Sequence, residues 1–249
     1  MTAPFPHRVV VLPDATALAE AAAQRLVDRI ASSEAPASIC LTGGSTPKRL
    51  YDLLATPPWR ARIPWQRVHW FVGDDRFVPP DDPLSNIGLA RRAFLDACAT
   101  PGTVHAIPTH SATPDDAARS YERTLSTFHA SQRQGRPLFD LVLLGVGSDG
   151  HVASLFPNDD AALTERARRV VGIAQANVAP FVPRVSLTLA GLASTCEMLF
   201  LVSGPDKRAI LQQILSGADL PATHARAADG ETLWLIDRAA KPLNLNDDR

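Results

Sequence analysis

The chain has 249 residues, of which 45% are hydrophobic and 20% charged, and its formal net charge at pH 7 is -1. This length and composition allow a sizeable core, and no linker divides the chain, so we expect one domain over residues 1–249. The balanced charge, without a lysine- or arginine-rich stripe, argues against nucleic-acid and acidic-membrane partners and favours a small molecule.

The cysteines and the N-terminal residues indicate a cellular compartment. Cys40, Cys98 and Cys196 are odd in number and widely spaced, which fits neither a disulfide framework nor paired zinc ligands. The N-terminal residues contain only a short apolar run, unlike a signal peptide or a membrane span. We therefore predict a cytoplasmic protein.

Apolar runs of strand length alternate with amphipathic runs of helix length along the chain. The predicted strands are 8–12, 38–41, 68–72, 141–144, 170–173, 184–189, 198–202 and 233–236. The predicted helices are 15–31, 48–54, 86–98, 114–132 and 208–215. This order predicts an α/β fold, with three α/β/α layers around a mostly parallel, partly mixed sheet. Residues 184–189 alternate between polar and apolar, which is typical of a half-solvated strand.

A glycine-rich turn follows the second predicted strand. Its residues are Gly43, Gly44, Ser45 and Thr46, and Pro47 then opens a helix. Glycines let backbone N–H groups converge, and a helix N-terminus favours an anion, so this turn is a candidate phosphate site. The alternative is an ordinary strand-to-helix turn in which Ser45 or Thr46 caps the helix.

A charged turn follows the third predicted strand, where Asp74 and Asp75 precede Arg76. Adjacent carboxylates beside an arginine can orient a base or hold a polar substrate. The alternative is a solvated turn.

The apolar strand at residues 141–144 leads into a second glycine-rich turn, residues 145–150, which ends at His151. Such a turn places Asp149 and His151 at the carboxyl edge of a parallel sheet, where α/β folds bind ligands. His151 is the candidate general base, because an unperturbed imidazole titrates near neutrality. An ordinary polar turn is the alternative. A dinucleotide site is disfavoured, since Pro157 interrupts the helix that it requires.

Four stretches together resemble the 6-phosphogluconolactonase family. They read LTGGSTPKRLY, WFVGDDRFVPPDDPLSN, FDLVLLGVGSDGHVASLFP, and VPRVSLT followed by SGPDK. The resemblance implies a three-layer α/β fold and hydrolysis of 6-phosphoglucono-δ-lactone in the oxidative pentose phosphate pathway, without a catalytic metal or a cofactor. The family usually has glutamate where this chain has Asp75.

The resemblance and the chemistry together assign roles to individual residues. His151 is expected to activate water, Asp149 to orient the imidazole, and backbone N–H groups of residues 145–150 to stabilise the oxyanion. The residues expected to bind the sugar phosphate are Gly43, Gly44, Ser45, Thr46, Asp74, Arg76, Arg184 and Lys207.

Two other functions stay open at this stage. Glucosamine-6-phosphate deaminases share the glycine turn, the acidic pair and the Asp-Gly-His, but carry a ring-opening glutamate shortly after it. This chain reads Val-Ala-Ser-Leu-Phe there, with Phe156 close to the position of that acid. A non-catalytic sugar-phosphate binder is the second alternative. We expect a monomer, with weak oligomerisation left open.

Overall fold

The computed structural model describes residues 8–243 and 245. In this part of the chain the strands are β1 (Arg8–Leu12), β2 (Ala37–Leu41), β3 (Val68–Val72), β4 (Asp74–Arg76), β5 (Val104–His105), β6 (Leu141–Leu144), β7 (Val170–Ile173), β8 (Arg184–Leu187), β9 (Glu197–Val202) and β10 (Glu231–Asp237). The α-helices are α1 (Ala15–Ala31), α2 (Ser45–Leu54), α3 (Asn86–Ala90), α4 (Asp96–Cys98), α5 (Pro114–Gln132), α6 (Asp160–Thr164), α7 (Leu189–Ala193), α8 (Arg208–Leu215) and α9 (Pro221–His224).

The strands form two sheets. The main sheet has seven strands in the order β1-β10-β9-β6-β2-β3-β5, and every pair in it is parallel. A smaller sheet pairs β4, β8 and β7 in antiparallel fashion. The predicted α/β class with a mostly parallel sheet is confirmed. The antiparallel strands lie in the separate small sheet rather than at the edges of the large one.

Hydrophobic burial holds the central strands in place. The four residues of β6 and the five of β2 are all buried, as the continuous apolar run at 141–144 predicts for a strand covered on both faces. Helix α1 contacts β1, β9 and β10 through a buried stripe that includes Leu18, Leu26 and Ile30. Each large apolar side chain buried in this way contributes about 1.5–3 kcal/mol. No helix in the described residues is both long and apolar enough to span a membrane.

Two local predictions are wrong. Helix α2 begins at Ser45 rather than Lys48, so Pro47 is its third residue; proline is tolerated there because first-turn N–H groups have no intrahelical partner. Strand β8 ends at Leu187, and its residues are all buried. The half-solvated reading of 184–189 fails because β8 lies between β4 and β7 and contacts α5.

The sheet order brings the polar turns of the sequence together. Strands β9, β6, β2 and β3 are consecutive neighbours in the main sheet. All four run in parallel, so the turns that follow them meet at one edge of the sheet, as expected for a ligand site in an open α/β fold. Strand β4 follows β3 after Gly73 and brings β8 to the same edge through the small sheet.

Candidate active site

A cleft of about 450 Å³ opens at this edge. Most of the predicted site residues line it: Gly43, Gly44, Asp74, Arg76, His151, Arg184 and Lys207. Asp149 contacts the cleft only through His151. Ser45 and Thr46 are the first two residues of α2 and are not among the lining residues.

His151 and Asp149 form a hydrogen-bonded pair. The distance from His151 Nδ1 to Asp149 Oδ1 is 2.6 Å, and the backbone N–H of His151 donates to the same oxygen at 3.2 Å. The pKa of Asp149 lies below its ordinary value: partial burial opposes this, but the hydrogen bonds and charge of His151 outweigh it. An ionised Asp149 only accepts, so Nδ1 carries the proton of the neutral imidazole and Nε2 has the free lone pair.

Phe156 and Gly147 both lie close to the imidazole. The ring of Phe156 packs against it with centroids 5.0 Å apart. A Cβ added to Gly147 would lie 2.1 Å from His151 Nδ1. Only glycine therefore leaves the ring in its place.

A tight turn after His151 carries Ser154 into the cleft. The backbone N–H of Leu155 donates to the carbonyl of Val152 at 2.9 Å, and Ala153 adopts φ 49° within this turn. A left-handed conformation is uncommon for alanine and costs roughly 1 kcal/mol or more. The strained turn places Ser154 Oγ where it donates to Asp74 Oδ2 at 2.6 Å.

Arg76 and Arg184 lie directly opposite each other in the β4–β8 ladder. Arg184 is 3% exposed, and burial together with the charge of Arg76 lowers its pKa. Within residues 8–243 and 245, neither arginine forms a salt bridge with a carboxylate. Like charges at directly opposite positions destabilise a ladder, so this pair is suited to an anion that neutralises both.

The two guanidinium groups are held differently. Nη1 of Arg76 donates to the carbonyl of Leu84 at 2.9 Å and to Asn86 Oδ1 at 2.5 Å, whereas its Nε is buried and has no hydrogen-bond partner in the described part of the chain. Arg184 donates from Nε to the carbonyl of Val182 and from Nη2 to that of Pro180. The described residues therefore leave Nη2 of Arg76 without a hydrogen-bond partner, and this group can donate to an oxyanion.

The glycine turn adds backbone donors and Lys207 adds a third cation. Gly44 is the N-cap of α2 at φ 112°, and no side chain caps this helix, so the predicted alternative of a Ser45 or Thr46 cap is wrong. The first-turn N–H groups and the helix dipole are left for an anion. Lys207 has only Asp206 as an ionic partner within the described residues, at 3.6 Å.

The acidic pair is divided between two faces of β4, because side chains alternate along a strand. Asp74 is 5% exposed and lines the cleft. Asp75 is fully buried and accepts from the backbone N–H groups of Arg76, Asn86 and Ile87. Burial raises the pKa of Asp75 to about 6, although these hydrogen bonds act in the opposite direction. The solvated-turn alternative is therefore wrong for both carboxylates.

Some backbone N–H groups of the turn at residues 145–150 already donate hydrogen bonds within the turn or to His151. The N–H of Gly147 donates to the carbonyl of His151, and that of Gly150 to the carbonyl of Gly147. Gly145, Val146 and Ser148 also line the cleft, and their backbone N–H groups have no hydrogen-bond acceptor among the described residues. These three groups remain candidates for the expected oxyanion donors of this turn. In the same part of the chain, no three His, Cys, Asp or Glu side chains come together as a metal site.

Residues 13–234 match the family described as glucosamine-6-phosphate isomerases/6-phosphogluconolactonase. The chain belongs to this family. It is 38% identical to a 6-phosphogluconolactonase of Nostoc sp., over 93% of this chain and 96% of the relative. It is 39% identical to a 6-phosphogluconolactonase of Synechocystis sp., over 82% of each chain. The structure of 6-phosphogluconolactonase from Trypanosoma cruzi matches with a TM-score of 0.83 at 28% identity, covering 96% of this chain and 97% of that one. The resemblance seen in the sequence is confirmed.

The cleft also contains two buried polar residues, Asn86 and Ser154, that were not among the site residues predicted from the sequence. Asn86 is 3% exposed and bonds to Arg76, Asp74 and Asp75. Ser154 is 1% exposed and bonds to Asp74. Asn86 and Ser154 both fall inside the stretches that carry the resemblance, which was the available signal, but only the fold brings them to Asp74.

Proposed function

We propose that the chain hydrolyses 6-phospho-D-glucono-1,5-lactone to 6-phospho-D-gluconate, as in the oxidative pentose phosphate pathway. One observation carries the proposal: the histidine of a histidine–carboxylate pair shares a cleft with two opposed arginines that form no salt bridge within the described chain. The relatives named 6-phosphogluconolactonase support it. The proposal takes residues 1–249 as one domain, acting as a cytoplasmic monomer.

The phosphate binds at the cationic end of the cleft. Nη2 of Arg76 donates to one of its oxygens, and Arg184 and Lys207 add positive charge. The backbone of residues 43–46 contributes N–H donors at the start of α2. The carboxylate of Asp74 accepts hydrogen bonds from sugar hydroxyls, since it is the carboxylate that lines the cleft in the described residues.

His151 acts as the general base. Nε2 removes a proton from a water molecule, whose oxygen attacks C1 of the lactone. Asp149 holds the proton on Nδ1 and stabilises the imidazolium that forms, and its lowered pKa keeps it ionised for this task. Backbone N–H groups of residues 145–150 donate to the oxyanion on the former carbonyl oxygen.

Ring opening completes the reaction. The tetrahedral intermediate collapses, the bond from C1 to the ring oxygen breaks, and the imidazolium of His151 returns its proton to that oxygen. One water is consumed and the free carboxylic acid is released. No serine of the chain has the G-x-S-x-G elbow of an acyl-enzyme mechanism, so direct attack by water is favoured.

The family also includes enzymes of glucosamine 6-phosphate, which defines the competing function. Deamination requires an acid that opens the sugar ring beside the histidine. Here Phe156 packs against the imidazole, and Asp75 is buried behind three backbone donors. Both contacts favour the lactonase.

A parallel assay of two substrates tests the proposal. One preparation is incubated with 6-phosphoglucono-δ-lactone and with glucosamine 6-phosphate, and acid release and ammonia are followed separately. We expect lactone loss well above the spontaneous rate and no ammonia. Ammonia formation that outpaces lactone hydrolysis would overturn the proposal, and lactone loss at the spontaneous rate would favour a non-catalytic binder.

A further inference from the structure

The side chain of Asn86 joins three parts of the cleft. Its Oδ1 accepts from Nη1 of Arg76 at 2.5 Å. Its Nδ2 donates to the carbonyl and to Oδ1 of Asp74, at 2.9 and 3.2 Å. It also lies directly beneath the glycine turn, since a Cβ added to Gly43 would be 1.9 Å from Asn86 Oδ1.

The backbone of Asn86 is anchored as firmly as its side chain. Its N–H donates to Oδ1 of the buried Asp75 at 2.6 Å. Asn86 is the first residue of α3, and Ser85 caps that helix by accepting from the N–H of Gly88 at 3.0 Å. Hydrogen bonds to Asp75 and Asp74 therefore fix the backbone and the side-chain amide of Asn86, and this amide accepts a hydrogen bond from Arg76.

We infer that Asn86 is a positioning residue that orients the guanidinium of Arg76 for the anionic group of the substrate. This inference rests on the proposed function for the identity of that group. Asn86 Oδ1 and the carbonyl of Leu84 both accept from Nη1, which fixes the rotation of the guanidinium and leaves Nη2 without a hydrogen-bond partner in the described residues. A neutral amide accepts from Arg76 without offering a negative charge that would compete with a phosphate.

The direct test measures phosphate binding without turnover. Asn86→Ala and Asn86→Ser each remove the acceptor of Arg76, and the Kd for inorganic phosphate and for 6-phosphogluconate is measured by calorimetry. We expect both Kd values to rise about tenfold, the size of losing one hydrogen bond to a charged group. In kinetics, KM for the phosphorylated lactone should rise likewise, and the loss on glucono-δ-lactone, which lacks the phosphate, should be the smaller of the two.

Ser85→Ala provides the matched control. Ser85 is adjacent, buried, and hydrogen-bonded to Asp75 Oδ2 at 3.2 Å, but no hydrogen bond joins it to Arg76 in the described part of the chain. Removing this cap should lower Tm and leave the phosphate Kd within about twofold of wild type. If Ser85→Ala weakens phosphate binding as much as Asn86→Ala does, then the loss of α3 alone explains the higher Kd. That result would overturn the inference.

A double-mutant cycle decides whether Asn86 acts through Arg76. In an Arg76→Ala background, Asn86→Ala should leave the phosphate Kd unchanged, because the group that it orients is gone. A further tenfold rise in that background would overturn the inference, as would an unchanged Kd in the single variant. If the wild type binds phosphate as described but does not hydrolyse the lactone, the proposed function fails and the role of Asn86 stands.

Discussion

Replacing Gly147 by alanine should slow turnover without removing any hydrogen-bonding group. The new methyl group would lie 2.1 Å from His151 Nδ1, 2.2 Å from Cε1 and 2.6 Å from Asp149 Oδ1. Ordinary contact begins at 3.4 Å, so the imidazole must move by about 1.3 Å, the difference between 3.4 and 2.1 Å. The backbone of Gly147 is outside the left-handed region, so the substitution adds no backbone strain of its own.

The size of that displacement sets the expected loss. A reacting group misplaced by about 1 Å costs roughly a hundredfold in rate, which is within the range for losing a general base. We expect kcat to fall about a hundredfold. KM for the phosphorylated lactone should stay within about threefold, because the atoms nearest the added methyl group belong to His151 and Asp149 and not to the proposed phosphate site.

Continuous acid release, with spontaneous hydrolysis subtracted, measures the effect. Gly145→Ala is the matched control in the same turn, since a methyl group there meets nothing within 4 Å. It should lose far less activity than Gly147→Ala. A folded Gly147→Ala enzyme that keeps more than a third of wild-type kcat would refute the idea that the His151–Asp149 geometry governs the rate.

Three further results are expected. His151→Gln should lower kcat by about two to four orders of magnitude while product still binds, and near-normal turnover would exclude His151 as the base. Arg184→Ala and Lys207→Ala should each lower kcat/KM about ten- to hundredfold on the phosphorylated lactone, from losing roughly 1.5–3 kcal/mol; an equal loss on glucono-δ-lactone would make both residues structural. His69 and His105 share a hydrogen bond of 2.9 Å, and burial lowers both pKa values, that of His105 to about 4. A histidine held neutral in the fold contributes stability above its unfolded pKa of about 6.5, and that stability is lost as pH falls towards 4. The urea concentration at the unfolding midpoint should therefore fall as the pH is lowered from about 6.5 to about 4. The fall should be smaller in His105→Leu. The same pH dependence of the midpoint in wild type and variant would contradict this explanation.

The large elements and the position of His151 in the cleft could be predicted from the sequence for clear physical reasons. An uninterrupted apolar run such as residues 141–144 has few alternatives to a buried strand, and the glycines after it require a turn at the sheet edge. The helices predicted at 86–98 and 114–132 begin after Ser85 and Thr113, which cap α3 and α5 as these residue types commonly do.

The remaining features depend on contacts between distant parts of the chain. Strand β4 has only three residues and exists because β8, more than a hundred residues later, pairs with it. The same pairing buries Arg184, which the alternating pattern placed at a half-solvated surface. Asn86 could be recognised only as a helix start, since its contacts with Arg76 and Asp74 come from the path of the loop before α3.

The alternation along β4 limits how this site can change in evolution. Asp74 and Arg76 reach the cleft and Asp75 reaches α3 only because they occupy successive positions of one short strand paired with β8. Inserting or deleting one residue there would reverse every side chain: the helix-capping carboxylate would enter the cleft, and an arginine would face the amides of α3. A substitution in this segment changes one side chain, whereas a change in its length alters the proposed phosphate site, the proposed sugar contact of Asp74 and the Asp75 contact with α3 together.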